Sequence, residues 1–166
     1  GKAMKRILIL ILLMLPFLVR GQNVSWKFFD HYSKAEGFSS VQLERKMMRM
    51  MSRQAAEKGD EKLSELLNGI ELIRIVALSG GDGQQFLEDA EDLATDPIYR
   101  FQLVMSESSG GQMTRFYLRE ADFTRNSELL MITAGPRETV VVNIYGLFDL
   151  KQVSRLSSIR PKSSPK

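Results

Sequence analysis

The stretch from Ile98 to Gly146, IYRFQLVMSESSGGQMTRFYLREADFTRNSELLMITAGPRETVVVNIYG, decides the fold. β-Branched and aromatic residues recur in it between loops rich in Gly, Ser, Asp and Asn, which is the pattern of strands joined by turns. The connection Gly135-Pro-Arg-Glu has the length of a hairpin loop. Four strands are therefore predicted, at residues 98–105, 113–119, 128–134 and 139–146.

A helix from about residue 40 to 56 is predicted upstream of these strands. Ser39 and Gln42 fit a capping box at its start, and apolar residues recur behind them at three-to-four spacing. Basic side chains cover the opposite face. The residues predicted to be buried on this helix are Leu43, Met47 and Met50, in one core with Ile73, Ile75, Phe101, Leu103, Phe116, Leu130, Ile132, Val141 and Ile144.

The remaining elements follow from caps and periodicity. An aromatic segment at residues 22–38 is expected to pack on the domain. Short helices are predicted at residues 61–68, 84–94 and 150–156, and a buried strand at 70–78. Helices grouped before and after a run of strands predict an α+β fold. The expected architecture is a two-layer sandwich, with a mostly antiparallel sheet of about five strands and the helices on one face.

The first 21 residues have the pattern of an export signal. Lys5 and Arg6 precede thirteen unbroken apolar residues, Ile7 to Val19. Cleavage between Gly21 and Gln22 is predicted to leave a periplasmic or extracellular protein. The apolar run is shorter than the roughly 20 residues that cross a bilayer, so a retained membrane anchor is the less favoured alternative. The predicted divisions are an export signal with start-site residues at 1–21, a single α+β domain at 22–157 and a flexible basic tail at 158–166.

Charge and cysteine content narrow the function classes. The chain has 23 Lys and Arg against 20 Asp and Glu, but four of the basic residues lie in the export segment, which leaves 19 against 20. Phosphate binding requires clustered positive charge on the folded domain, so no nucleic-acid partner is expected. The chain contains no cysteine. This excludes disulfides, thiol catalysis and the lipid attachment of a bacterial lipoprotein.

Several short motifs, taken in order, carry a family resemblance. They are Phe28-Phe29-Asp30 with Tyr32, Gly37-Phe38-Ser39-Ser40-Val41, the Met-rich helix, Ile73-Arg74-Ile75, Ser127-Glu128-Leu129-Leu130 and Val142-Asn143-Ile144-Tyr145-Gly146-Leu147-Phe148-Asp149-Leu150. Over roughly residues 26 to 157, the chain resembles the small exported proteins of Bacteroidetes grouped as domain of unknown function family 4252. The resemblance implies an exported α+β domain. It implies no established activity and no catalytic residue.

Three sets of residues are candidates for chemistry, and each has a simpler interpretation. The loop Ser79-Gly-Gly-Asp-Gly lies between a strand and a helix, but it lacks the Lys-Ser/Thr of a phosphate-binding loop. The acidic residues between Asp82 and Asp96 lie mostly along one helix face, not in a calcium-binding loop. His31 is the only histidine, and no nucleophile motif accompanies it. A turn, a solvated helix face and a structural or surface histidine are therefore favoured.

A methionine cluster gives the sharpest metal hypothesis. Thioethers are soft ligands that suit Cu(I), and copper is handled outside the cytoplasm. Methionine also fills irregular cores and adaptable interfaces, so burial in the core is the favoured interpretation. The copper candidates are Met47, Met48, Met50 and Met51.

The predicted function is a non-catalytic protein-binding module of the cell envelope, with no cofactor, because no residue set predicts an enzyme. The alternative is a periplasmic ligand or metal binder. A two-layer fold leaves one sheet face open, so that face or an unpaired edge strand is predicted to contact an envelope protein. The polar strand residues expected on that face are Arg100, Gln102, Thr114, Arg115, Tyr117 and Asn143.

Overall fold

The computed structural model describes residues 1–6, 25–120, 125–149 and 151–152. Most of the predicted export segment, its cleavage point and the basic tail lie outside these ranges. Residues 2–6 and 151–152 are helical. The other elements are α1 (Trp26–Ser33), β1 (Phe38–Glu44), α2 (Arg45–Glu57), α3 (Glu61–Gly69), β2 (Ile70–Ser79), α4 (Gln84–Thr95), β3 (Gln102–Ser109), β4 (Gln112–Glu120), β5 (Ser127–Ala134) and β6 (Glu138–Gly146).

The six strands form one sheet in the order β1-β2-β6-β5-β4-β3, and every neighbouring pair is antiparallel. The α+β class and the antiparallel sheet are confirmed, with six strands where about five were predicted. Gly69 and Gly146 allow the start of β2 and the end of β6 to approach each other closely. A Cβ atom at Gly146 would lie 2.5 Å from the backbone oxygen of Gly69, and the φ of Gly146 is 153°.

Helices cover both faces of this sheet. Helices α1 and α4 bury Phe29 and Phe86 on one face, which we call the α1/α4 face. Helices α2 and α3 bury Met48 and Leu66 on the other, the α2/α3 face. The predicted grouping of helices on one face is therefore wrong, and the sheet is the middle layer of three.

Strand β5 gives the physical reason for the two covered faces. Successive side chains of a strand point to opposite faces of the sheet. Leu129 and Leu130 are adjacent in β5, yet they are only 1% and 0% exposed. A strand that is apolar on both faces requires cover on both, because each exposed apolar surface is unfavourable in water.

The predicted helix at 40–56 begins later than expected, because residues 38–44 form strand β1. Ser39 lies within this strand and forms no capping box. Pairing of all seven β1 residues with β2 overrides the local helical pattern. The later start also changes the buried side of α2: Met48 is fully buried, whereas Met47 and Met50 are 44% and 49% exposed. The predicted burial of these two methionines is wrong.

Five of the other ten residues predicted in the core are confirmed as buried, but they belong to two clusters separated by the sheet and not to one core. The predicted aromatic segment packs on the domain through Phe29 and Tyr32. Leu103 is 54% exposed because β3 is an edge strand that begins at Gln102, four residues later than predicted. Half-buried predicted residues are Leu43, Ile73, Ile75 and Phe101; buried ones are Phe116, Leu130, Ile132, Val141 and Ile144.

Candidate functional site

Three of the six residues predicted on an open sheet face are buried: Thr114, Tyr117 and Asn143 are 4%, 5% and 0% exposed. The prediction is wrong for these three because helices cover both faces. Gln102 is exposed at the beginning of β3, and Arg100 is exposed in the turn that precedes it. Arg115 is half-buried on β4, and its Nη1 atom lies 3.5 Å from Glu91 Oε1. Only these last three are placed to contact another molecule.

A buried polar cluster lies on the α1/α4 face, and Glu128 is its centre. The hydroxyl of Ser25 donates to Glu128 Oε1 at 2.8 Å, and Asn143 Nδ2 donates to the same oxygen at 3.3 Å. Arg119 Nε donates to Glu128 Oε2 at 3.4 Å. All four residues are at most 3% exposed. We call Ser25, Arg119, Glu128 and Asn143 the buried cluster.

Strand register brings this cluster together. Arg119 of β4 lies directly opposite Glu128 of β5, and such cross-strand pairs place their Cβ atoms within about 5.5 Å. Asn143 of β6 lies opposite Leu130, two residues beyond Glu128 on the same face. Ser25 immediately precedes α1, so its hydrogen bond ties the start of that helix to the sheet.

The protonation of Glu128 is shifted by its surroundings. Burial raises the pKa of Glu128 above the ordinary carboxyl value, because the charged form loses its hydration. The hydrogen bond from Ser25 and the positive charge of Arg119 act in the opposite direction. Since Glu128 is fully buried, a solute cannot reach it in this conformation. The cluster can hold or release a proton, but it is not a substrate site.

Sequence reasoning missed this cluster, although it left a signal. Glu128 and Asn143 interrupt strands that are otherwise mostly apolar, SELLMITA and ETVVVNIYG. A charged or amide side chain in a buried strand requires a partner, because its unpaired burial is costly. That pattern predicts an internal polar contact, but it does not identify Ser25 or Arg119 as the partners.

Edge strand β3 is the second notable feature. All eight of its residues are exposed, and it hydrogen-bonds to β4 alone because it lies at the end of the sheet. Its large apolar side chains are exposed too: 54% for Leu103, 38% for Val104 and 37% for Met105. The register shifts between Leu103 and Met105, so Val104 lies at a bulge. On β4, Met113 is 40% exposed, but it lies opposite Ser108 at the other end of β3.

The four methionines considered for copper do not converge. Met48 is buried against the sheet and Met51 is half-buried beside it. Met47 and Met50 are exposed on another side of α2. One ion cannot contact both groups, because the helix separates them. Across the described parts of the chain, no group of three or more His, Asp or Glu side chains is placed to hold a metal ion.

The other candidate motifs have structural roles or lie at the surface. Gly80 and Gly81 adopt positive φ in the loop before α4, and Asp82 Oδ1 accepts a hydrogen bond from the backbone N–H of Gln84. His31 is exposed on α1, with its ring edge against Tyr32. Burial, with a hydrogen bond to Asp89, raises the pKa of Tyr32.

Comparison with known proteins adds one finding. A family model described as "Domain of unknown function (DUF4252)" matches residues 32–156. This range contains every strand of the sheet and three members of the buried cluster. No curated protein and no solved structure matches the chain. Within the described ranges, no helix is long and apolar enough to cross a membrane.

Proposed function

The chain belongs to the DUF4252 family, and we propose that it is a non-catalytic protein-binding module of the cell envelope that contacts its partner through strand β3. The family resemblance seen in the sequence motifs is confirmed by the same match. The export component of the proposal rests on the signal pattern of residues 1–21. The binding component rests on β3.

The single observation that carries the proposal is an exposed apolar edge. A free edge strand presents unpaired backbone N–H and C=O groups, which another strand can satisfy. Proteins usually protect such edges with Lys, Pro or short strands. Strand β3, QLVMSESS, has eight residues, contains neither Lys nor Pro, and exposes Leu103, Val104 and Met105. The bulge at Val104 and the charge of Glu107 are the protections this strand has. An apolar edge of this length is a template for strand addition.

The pattern of β3 disfavours a second copy of this chain as the partner. Its first half is apolar through Leu103, Val104 and Met105, and its second half, 106–109, is Ser-Glu-Ser-Ser. Full antiparallel pairing of two copies would place each apolar residue opposite a polar one, with Val104 facing Glu107. Directly opposed side chains stabilise a sheet when they are of like polarity or opposite charge. The partner is therefore an extended segment of a different protein, apolar opposite 103–105 and polar opposite 106–109.

The placement of titratable groups supports the non-catalytic component. Catalytic acids and bases need contact with substrate and a pKa suited to proton transfer. Glu128 has a raised pKa but is fully buried. His31 is exposed, and no nucleophile or carboxylate among the residues that the structure describes forms a hydrogen bond with it. Binding through the edge needs neither group.

Site-specific photo-crosslinking tests the proposed contact. A benzophenone amino acid replaces Val104 on β3 in cells that make the protein, and a control variant carries it at Met50, a residue of α2 that is 49% exposed. We expect the position-104 variant to crosslink to one defined envelope protein. Equal yields from both positions, or adducts only with the chain itself, would contradict the proposal.

Two surface variants of the protein test whether binding is lost when the proposed contact is changed. The double change of Leu103→Lys and Met105→Lys should lower the crosslinked yield by about tenfold or more, because it introduces charge against the apolar half of the partner. Charge reversal at Arg115, opposite Ser106 of β3, should also weaken it. The matched control is Met50→Lys, an exposed position on α2. The intact mass of the exported protein tests the proposed signal cleavage, and a species that begins at Gln22 is expected.

A further inference from the structure

A small pocket lies between α1 and the β1–β2 end of the sheet, at the opposite end from β3. Its volume is about 110 Å³. Trp26 and Asp30 of α1, Ser40 and Gln42 of β1, and Arg74 of β2 are among the residues that line it. A pocket of this size has room for several water molecules or for a small polar group.

Arg74 is the cation of this pocket, and it lacks a direct acceptor. It lies opposite Gln42 on one side and Asn143 on the other in the strand register. Its Nε atom is buried without a hydrogen-bond partner. Among the described residues no side-chain oxygen forms an ion pair or hydrogen bond with its guanidinium. A buried donor without an acceptor is unfavourable, so an acceptor from outside would stabilise the site.

Three carboxylates act on Arg74 from a greater distance, those of Glu128, Asp30 and Glu44. Burial lowers the pKa of Arg74, and these charges oppose the change. All three already have partners. Asp30 Oδ1 lies 3.1 Å from Lys34 Nζ, Glu44 Oε1 accepts from Gln42 Nε2 at 2.9 Å, and Glu128 is held in the buried cluster. The negative potential of these three carboxylates disfavours binding of a doubly charged phosphate more than binding of a singly charged anion.

We propose that this pocket binds a carboxylate group, with the Arg74 guanidinium as its partner. The planar guanidinium matches the two oxygens of a carboxylate, and a carboxylate with its attached carbon fits the volume. Ser40 offers a further hydrogen-bond donor, and Gln42 Nε2, which donates one N–H to Glu44 Oε1 at 2.9 Å, has a second N–H for the ligand. The half-exposed Trp26 ring offers an apolar contact for the rest of the ligand. The source is either a small organic acid or the C-terminus of a peptide. This site is separate from β3 and does not depend on the binding proposed there.

Trp26 makes the test direct, because it is the only tryptophan of the chain. The indole N–H resonance and the fluorescence of Trp26 are followed while the purified protein is titrated with N-acetylalanine, with the uncharged N-acetylalaninamide, and with inorganic phosphate. We expect a saturable shift with N-acetylalanine alone. An equal shift with the amide, or equal or stronger binding of phosphate, would overturn the proposal.

Matched arginine variants identify the partner. Arg74→Gln should weaken N-acetylalanine binding by about tenfold or more, the effect of losing a charge-assisted hydrogen bond. Arg45→Gln, which removes an exposed arginine outside the pocket, should leave it unchanged. Should Arg74→Gln fail to fold, Gln42→Glu adds a negative charge to the exposed rim and should weaken binding with Arg74 intact. Undiminished binding in the folded variant tested would overturn the role of Arg74.

The two sources of carboxylate are distinguished by a second pair of probes. A tripeptide with a free C-terminus is compared with the same tripeptide carrying a C-terminal amide. Tighter binding of the free tripeptide than of N-acetylalanine assigns the site to peptide C-termini, and equal affinity assigns it to small acids. Binding of the amidated tripeptide as tight as that of the free one would contradict carboxylate recognition.

Discussion

Replacement of Arg119 by Met is expected to destabilise the protein by about 3–5 kcal/mol at pH 7. The Arg119–Glu128 ion pair spans 3.4 Å, and its side chains are 1% and 0% exposed. Removal of the guanidinium leaves Glu128 buried with only Ser25 and Asn143 as donors. The loss is a large part of the roughly 5–15 kcal/mol that stabilises an ordinary domain, so urea unfolding monitored by Trp26 fluorescence measures it readily.

Two further variants separate the charge effect from simple loss of packing. Glu128→Gln in the Arg119→Met background removes the buried charge while it keeps an acceptor oxygen for Ser25. It should therefore recover at least about 2 kcal/mol of the loss. The matched control is Arg45→Met, whose ion pair with Glu71 also spans 3.4 Å but has side chains 58% and 39% exposed. That change should cost at most about 1 kcal/mol. Equal costs for Arg119→Met and Arg45→Met would refute the reasoning.

Three other predictions concern protonation, burial and backbone. The pKa of Glu128 is higher in the folded state than in the unfolded state, where it is about 4.3. The unfolding free energy should therefore fall as the pH rises from about 4.3 through the raised pKa. Urea unfolding across this pH range should show a flatter dependence for Glu128→Gln. Met48→Ala should cost about 2–5 kcal/mol in thermal or urea unfolding, whereas the exposed Met47→Ala should stay within about 0.5 kcal/mol; equal costs would contradict the register of α2. Gly146→Ala should destabilise more than Gly59→Ala in the same assay, since both have positive φ but only Gly146 would place a Cβ 2.5 Å from a backbone oxygen.

Much of the sheet is predictable from local sequence, because its hairpins are short-range. Strands β4, β5 and β6 were expected within one residue of their observed ends, since each combines β-branched residues with a turn of Gly, Pro, Asp or Asn. Strand β1 was not predicted, because Ser39 and Gln42 also fit a helix cap. Only pairing with β2, some thirty residues later, makes that stretch a strand. Local secondary-structure propensity does not predict a pairing between strands that are this far apart in the sequence.

The layer arrangement is only partly readable from sequence. Adjacent apolar residues such as Leu129 and Leu130 indicate a strand buried on both faces, which already argues against an open sheet face. The order of the helices along the chain does not state which face each one covers. The partners of Glu128 come from three separate elements, so the sequence shows that a buried acid exists without showing what neutralises it.

The α1/α4 face carries more arginine than its interior carboxylate can satisfy. Glu128 lies between the two cations: Arg119 faces it directly from β4, while Arg74 on β2 is separated from it by the intervening strand β6 and Asn143. Both oxygens of Glu128 are already used, one by Arg119 and the other by Ser25 and Asn143. Arg74 therefore receives only long-range attraction, and its guanidinium borders a pocket open to solutes. The same carboxylate that pairs with the buried Arg119 thus leaves the half-buried Arg74 without a direct acceptor, and this is why we propose that Arg74 binds an acid from outside.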